Sequence, residues 1–325
     1  MRNILCVTLI ALLGGCTSTS VTEKYQDKRN DIINVKDKVI EFETGNVLIG
    51  SVSRLYMSNK CLLIADHKSV DKQIHIFNKN DFSYLTSIGN FGEGPEEITV
   101  MGCLAIDEAH HQLYVSDHAK QKIFSYDMDS VMVDSLYKPQ VKTAMNETLF
   151  PSEYQYINDT LSIAVLIKPT STSTFNQFLG RWNMNTGEMI PMKYTHPDIQ
   201  KKRITFAASE KAGIYVECYT RHDLMTICSL DGELLYNIYG PDWDGGNGNK
   251  LQSFGTVMIG NDKIFVSYCG EDYARDSFPT KILVFDLEGN YLKTLETGYK
   301  ISDCCYDSFL SLIHISEPTR PEPIS

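Results

Sequence analysis

Five short stretches of this chain share one hydrophobic signature, a polar turn followed by a strand-length run of alternating or wholly apolar residues. They read NKCLLIA (59–65), HHQLYVS (110–116), NDTLSIA (158–164), KAGIYVE (211–217) and NDKIFVS (261–267). Superposed, they put Ile64, Val115, Ile163, Val216 and Val266 in register, at steps of 51, 48, 53 and 50 residues. Runs of this length, rich in β-branched residues and bounded by turn formers, read as strands. A third strand follows in QIHIF (73–77), KIFSY (122–126), LMTIC (224–228) and KILVF (281–285). Turns rich in Asn, Asp and Gly come next, supplying the positive φ or local hydrogen bonds that tight hairpins need. A fourth strand is predicted over SYLTSIG (83–89), VMVDSLY (131–137), EMIPMKY (188–194), LLYNIYG (234–240) and YLKTLET (291–297). No long segment of helical period interrupts them.

A period near 50 residues filled with β-type segments predicts an all-β, six-bladed β-propeller of four-stranded antiparallel blades. A β-sandwich is the main competitor, but nothing in it requires that repeat. Five repeats run from about Val52 to Gly298, and a sixth begins at KISDCCYD (300–307), where Asp307 matches Asp107. Counting forward centres the next strand on residue 315. There the chain reads LSLIHISEPTR (310–320) and then PEPIS, with prolines at 318, 321 and 323. Proline has no N–H to give a ladder, so a paired interior strand is not expected here. The string resembles the in-frame translation of a sequencing adapter. Residues 310–325 are therefore expected to be a non-native tail and the last blade incomplete. DKVIEFE (37–43) is expected to supply the outer strand of blade six, within a propeller domain spanning 36–309.

The loop SIGNFGEGPEEIT (87–99) poses a choice between a phosphate cradle, a metal loop and a corner between blades. It lacks the G-x-G-x-x-G order, follows a predicted outer strand and opens no helix. A blade-to-blade corner is the expectation.

The N-terminus changes the picture of location. MRNILCVTLIALLGGC (1–16) has a basic start, an apolar stretch too short to span a membrane, and small residues directly before Cys16. This is the pattern of a bacterial lipoprotein signal, cut before an acylated Cys16. Residues 17–35 then read as a polar tether. The expected protein is lipid-anchored in the bacterial cell envelope, facing the periplasm or the exterior, and monomeric. The remaining cysteines, at 61, 103, 218, 228, 269, 304 and 305, form no zinc pattern. Several lie in apolar strands, where cysteine acts as a small hydrophobe. The composition is 42% hydrophobic, and the formal charge of −11 argues against nucleic acid as a partner.

FGEGPEEIT, LYVSDHAKQKIFSYD and IFVSYCG…KILVFDLEGNYLKTLE resemble the NHL/TolB-like six-bladed propeller lipoproteins of bacterial envelopes, over roughly residues 36–309. The resemblance implies that Asp66 and Asp117, each after a second strand, brace the turn that follows. Blades three to five lack this aspartate.

On such a scaffold, long loops carry binding. The candidates are Lys168–Gln177, Pro241–Ser253 and Gly270–Pro279. Inner-strand segments SVSRL, MGCLAI, EYQYI, TFAAS, SFGTV and ISDCCY offer Arg54, Glu153, Tyr154 and Asp303 to the axis. Arg54, Tyr154, Tyr268 and Arg275 are the candidate ligand contacts, and Trp243 and Tyr219 are aromatics able to stack on a sugar. PDWDGGNGNK (241–250) offers Asp242, Asp244 and Asn247 as oxygen ligands for calcium, although it departs from the EF-hand pattern. His110-His111 is a weaker metal candidate. No cofactor is expected otherwise, and no catalytic residue can be named. Two functions remain open: a binding module for a small molecule, glycan or partner protein on the loop face, or a calcium-dependent, lactonase-like hydrolase. The hydrolase would need a ring of oxygen ligands on the axis.

Overall fold

The computed structural model describes residues 22–134, 136–171, 173–199, 202–247, 251–275 and 277–318. Cys16, the signal stretch and residues 17–21 of the expected tether lie outside them. The N-terminal segment contributes β1 (Glu23–Tyr25) and β2 (Ile32–Asn34). Blade one is β3 (Ser53–Met57), β4 (Cys61–Asp66), β5 (Lys72–Asn78) and β6 (Tyr84–Asn90). Blade two is β7 (Met101–Asp107), β8 (Gln112–Asp117), β9 (Lys122–Asp127) and β10 (Gln140–Ala144), with helix α1 (Met128–Val133) before its last strand. Blade three is β11 (Phe150–Asn158), β12 (Leu161–Pro169), β13 (Phe175–Trp182) and β14 (Met189–Pro191). Blade four is β15 (Ile204–Ser209), β16 (Ile214–Tyr219), β17 (Leu224–Ser229) and β18 (Leu234–Tyr239). Blade five is β19 (Leu251–Gly260), β20 (Lys263–Asp272), β21 (Lys281–Asp286) and β22 (Tyr291–Glu296). A partial sixth blade pairs β23 (Asp303–Asp307) with β24 (Leu312–Ser316).

Each blade is an antiparallel meander, so neighbouring strands are neighbours in sequence. The second strands lie between adjacent blades and are covered on both faces: every residue of β4 and of β16 is buried. This is why they read as continuous apolar runs rather than as alternation. Ile64, Val115, Val216 and Val266 face Leu55, Leu104, Ala207 and Val257 of the first strands. Removing each such side chain from water contributes about 1.5–3 kcal/mol. The 50-residue period reappears as hydrogen bonds between successive inner hairpins: Asn59 N to Glu108, Asn158 to Glu210 and Asn261 to Ser311, at separations of 49, 52 and 50 residues.

Blade six meets blade one through packing of Cys305 against Leu55, Leu62, Ile64 and Phe77 and through polar and ring contacts. The buried Lys79 Nζ lies 3.0 Å from the Asp307 carboxylate, Leu55 N donates to Asp303 at 2.8 Å, and Phe82 packs edge-on against His314 at 5.6 Å. The corner at 87–99 joins β6 to β7, as its glycines and lack of a following helix imply. Lys120 Nζ donates to the carbonyls of Gly92, Gly94 and Glu97, filling the corner from within. Asp66 accepts from Lys68 N in the turn after β4 and from Gly50 N. Asp117 accepts from Ala119 N after β8 and from Thr99 N in the preceding corner. Each aspartate thus ties its own turn to the chain entering the blade.

Four expectations give way. First, residues 131–137 are not the fourth strand of blade two. Asp127 accepts from Ser130 N at 2.7 Å, an N-cap that starts α1 and moves the fourth strand to β10. Second, residues 22–35 are packed rather than a loose tether. β1 runs parallel to β18 and β2 parallel to β22, adding a fifth strand to blades four and five. Third, residues 37–43 form no strand: Lys36–Lys38 is a short 3-10 turn, and Phe42 stacks on Phe82 at 4.2 Å. Blade six has no described third strand for them to pair with. Fourth, β24 lies within the adapter-like string, with Ile315 opposite Cys304 where the repeat count puts it. LIHIS alternates, so Ile313 and Ile315 reach the apolar layer beneath blades five and six while His314 turns to the other side. The ladder ends at Ser316, before Pro318.

The seven described cysteines are buried free thiols. Burial also holds His67, His75, His118, His196, His222 and His314 below the ordinary histidine pKa. These imidazoles stay neutral while the unfolded chain takes up protons below about pH 6.5. Their contribution to stability is complete above that pH and is lost as pH falls through it. Glu217, Asp223 and Asp303, raised chiefly by burial, act in the reverse sense. The urea midpoint is expected to fall between about pH 7.5 and about pH 5, as six histidines outweigh three acids. A midpoint that rises on acidification would assign the balance to the carboxylates.

Candidate functional site

Six inner strands surround an axial cavity of about 720 Å³. Its wall takes residues from β3, β7, β11, β15, β19 and β23, the six segments read from the sequence as inner strands. Consecutive residues of each strand border the cavity, as over Arg54–Met57, Glu153–Tyr156 and Asp303–Tyr306. Arg54 and Glu153, from blades one and three, meet across the cavity at 2.7 Å, both partly open to solvent. Burial works against the charge of Arg54, but Glu153, with Tyr56 and Asp303 nearby, holds its pKa above the ordinary arginine value.

The remaining polar groups tie the inner strands together. Asp303 accepts from Leu55 N at 2.8 Å and from the Thr256 hydroxyl at 2.6 Å, joining blades six, one and five. Gln155 accepts from Ala208 N, and Thr205 donates to the Gly255 carbonyl. Burial pushes the Asp303 carboxyl up, against the pull of these two donors. Cys103, also in the wall, has its thiol pushed up to about 12 by burial, so it is no nucleophile at neutral pH.

Of the four candidate contacts, Arg54 reaches the axial cavity and Tyr154 borders it only from β11; Tyr268 and Arg275 lie elsewhere. Tyr154 presents little ring surface, because it packs edge-on against Trp182 at 5.1 Å in the core between blades two and three. Its hydroxyl is buried without a hydrogen-bond partner. Tyr268 packs against Phe254 between blades four and five and donates to Asp242 at 3.2 Å. Arg275 is exposed and pairs with Glu271 at 3.1 Å. Tyr219 is fully buried, and Trp243 packs among His196, His222 and Tyr239. Neither offers an open face for a sugar.

The calcium candidates have protein partners of their own, and Asp244 lies 3.8 Å from His222. Asp242 accepts from Tyr268, and Asn247 turns its amide to the Asp244 carbonyl. His111 pairs with Asp129, whereas His110 joins Asp107 and Asp159 in the one group of three metal-type ligands among the described residues. The wall residues Gln155, Thr205 and Thr256 were not singled out in the sequence. Their only signal was a place in the inner-strand segments: Gln155 beside Glu153 and Tyr154 in EYQYI, Thr205 in TFAAS and Thr256 in SFGTV.

Blades of this kind around an axial cavity define a β-propeller, five blades complete and the sixth partial. Residues 17–177, a little under half of the chain, match the DUF5128 family, described as a six-bladed β-propeller. No curated protein matches. Among solved structures, a Bacteroides fragilis protein described as exported superposes with TM-score 0.54 at 14% identity, covering 87% of this chain and 84% of that one. A luciferin-regenerating enzyme superposes with TM-score 0.50 at 8% identity, over 79% and 80% of the two chains. A DUF4221 member from Bacteroides vulgatus reaches 0.48 at 11% identity, over 74% and 80%. Such low identities bear on the fold alone. No helix among the described residues is long and apolar enough to cross a membrane.

Proposed function

We propose that this protein is an exported, lipid-anchored binding module of the bacterial envelope that holds a small polar molecule, such as a sugar or another hydroxyl- or carboxylate-bearing compound, in its axial cavity. The Arg54–Glu153 pair carries this reading: a cation and an anion from non-adjacent blades, in contact at 2.7 Å and both reached by solvent. Such a pair can exchange partners, with Arg54 taking a carboxylate or hydroxyl of the ligand and Glu153 a donor. The cavity has the size of ordinary small-molecule sites. The leader ending at Cys16 and the likeness to an exported protein support the location. A calcium-dependent hydrolase fits less well, because Glu153 is engaged by Arg54, and Asp303 by Leu55 and Thr256.

The test is a thermal-shift screen of sugars, amino acids and small carboxylates, followed by calorimetry on each hit. Arg54→Ala is expected to weaken a hit at least about tenfold, the loss of one charge-assisted hydrogen bond. Glu153→Gln should change the ranking of hits that carry donors. Equal affinity of every hit for wild type and Arg54→Ala would place binding outside the cavity.

A further inference from the structure

The hairpins of blades two and three meet on the side of the ring that carries the turns between first and second strands. Asp107 closes β7, His110 lies in the turn after it, and Asp159 lies in the turn between β11 and β12. Ligand-type atoms of the three fall within 4.8 Å of one another. The Asp107 side chain is 2% exposed, and its oxygens accept from His110 Nδ1 at 2.8 Å, His110 N at 3.2 Å and the Tyr114 hydroxyl at 3.2 Å. Asp159 accepts from the Tyr156 hydroxyl at 2.7 Å. Each carboxylate is thus oriented by a tyrosine behind it, and those two rings meet edge to edge at 5.3 Å.

The repeat supplies its own comparison. Asp307 occupies in blade six the place that Asp107 occupies in blade two, and there the adjoining blade inserts Lys79 as a buried counter-cation at 3.0 Å. At Asp107 the adjoining blade offers no such lysine among the described residues, and the exposed Asp159 of its first hairpin brings a second carboxylate near instead. The group in direct contact is the imidazole of His110, which is 61% exposed, while Lys142 lies over the Tyr114 ring. A buried carboxylate facing another across a blade junction calls for a positive charge, and an imidazole beside two oxygens is a donor set for a borderline metal.

We propose that Asp107, His110 and Asp159 bind a zinc-type divalent cation that clips the hairpins of blades two and three together. Tetrahedral zinc, at about 2.1 Å from its donors, spaces them about 3.4 Å apart, so the three side chains need only small rotations. Binding takes the place of the His110–Asp107 hydrogen bond and leaves a fourth position for water. Tyr114 and Tyr156 act as the outer partners that hold the carboxylates in place. This site is separate from the axial cavity, and its test does not depend on any ligand there.

The experiment is calorimetric titration of the chelator-treated, full-length protein with zinc chloride, run in parallel with calcium and magnesium chloride. Wild type is expected to bind one zinc saturably and to melt at a temperature that rises with zinc concentration. Asp159→Asn, at an exposed turn position, should keep the metal-free melting temperature, His110→Ala should lower it by removing the partner of Asp107, and each should weaken zinc at least about tenfold. No saturable zinc in wild type, equal affinity in both variants, or calcium bound more tightly than zinc would overturn the assignment.

Discussion

Replacing Arg29 by methionine should cost about 3–5 kcal/mol of stability, because it leaves the Asp223 carboxylate buried without its counter-ion. Arg29 sits between β1 and β2, and its guanidinium lies 2.8 Å from Asp223, with side-chain exposures of 8% and 0%. Phe254, Tyr268 and Phe285 surround it at 5.5–5.7 Å from their ring centres. There is no room for a water shell: a Cβ placed on Gly240 would meet Asp223 at 2.1 Å and Arg29 at 2.3 Å. Burial drives the Asp223 carboxyl up while Arg29 pulls it down. The variant can relieve an unpaired carboxylate in two ways, by protonating it or by releasing the N-terminal segment so that water enters. The second route caps the loss at the docking energy of β1 and β2 and exposes residues 26–31 to protease. Urea unfolding read together with limited proteolysis separates them. The double variant Arg29→Met, Asp223→Leu should recover most of the loss. A change below about 1 kcal/mol in the single variant would mean that water reaches Asp223 and that the segment is only loosely held.

The second large effect is expected at the junction that closes the ring. Lys79→Met removes the cation beside Asp307, both side chains being nearly inaccessible at 5% and 1% exposure. Asp307 also accepts from Phe309 N and Leu310 N, so its charge is not abandoned. Burial opposes that charge, yet the Leu310 N–H and Lys79 keep its pKa below the usual carboxylate range. The cost should therefore sit near the lower end of the buried-pair range, about 3 kcal/mol. Its location is the sharper test. Amide exchange should quicken in β5, β23 and β24 and stay unchanged in blades three and four, since the lost contact joins blade six to blade one. Uniform quickening would show instead that the ring opens as one unit.

Much of this architecture was legible because hydrophobic periodicity is a local property. A strand covered on both faces must be apolar throughout, so β4, β8, β12, β16 and β20 could be placed from residue pattern, and the six inner strands from the 50-residue spacing. Residues 131–137 misled because VMVDSLY carries strand formers, while one carboxylate upstream, Asp127, satisfies the N–H that starts a helix. The three-residue strands β1 and β2 lie in a polar stretch with no period to detect. Their parallel pairing comes from blade edges more than 200 residues away, as in the Glu23 contact with Asn237. Tyr154 and Tyr268 were well placed as inner and loop-proximal residues. What alternation could not foresee is that aromatic rings of this size fill the wedge between blades.

The sequence by itself determined the 50-residue blade repeat, the first and second strands of the five complete blades, and the inner-strand segments that carry Arg54, Glu153 and Asp303, because each follows from turn chemistry and side-chain period within about 50 residues. Only the tertiary structure decided which of these groups meet. Arg54 finds Glu153 across 99 residues, Arg29 finds Asp223 across 194, and Lys79 finds Asp307 across 228. These meetings depend on how far each blade rotates against the last before the ring comes round. That angle is set by the packing of whole sheets, and no short window of sequence contains it.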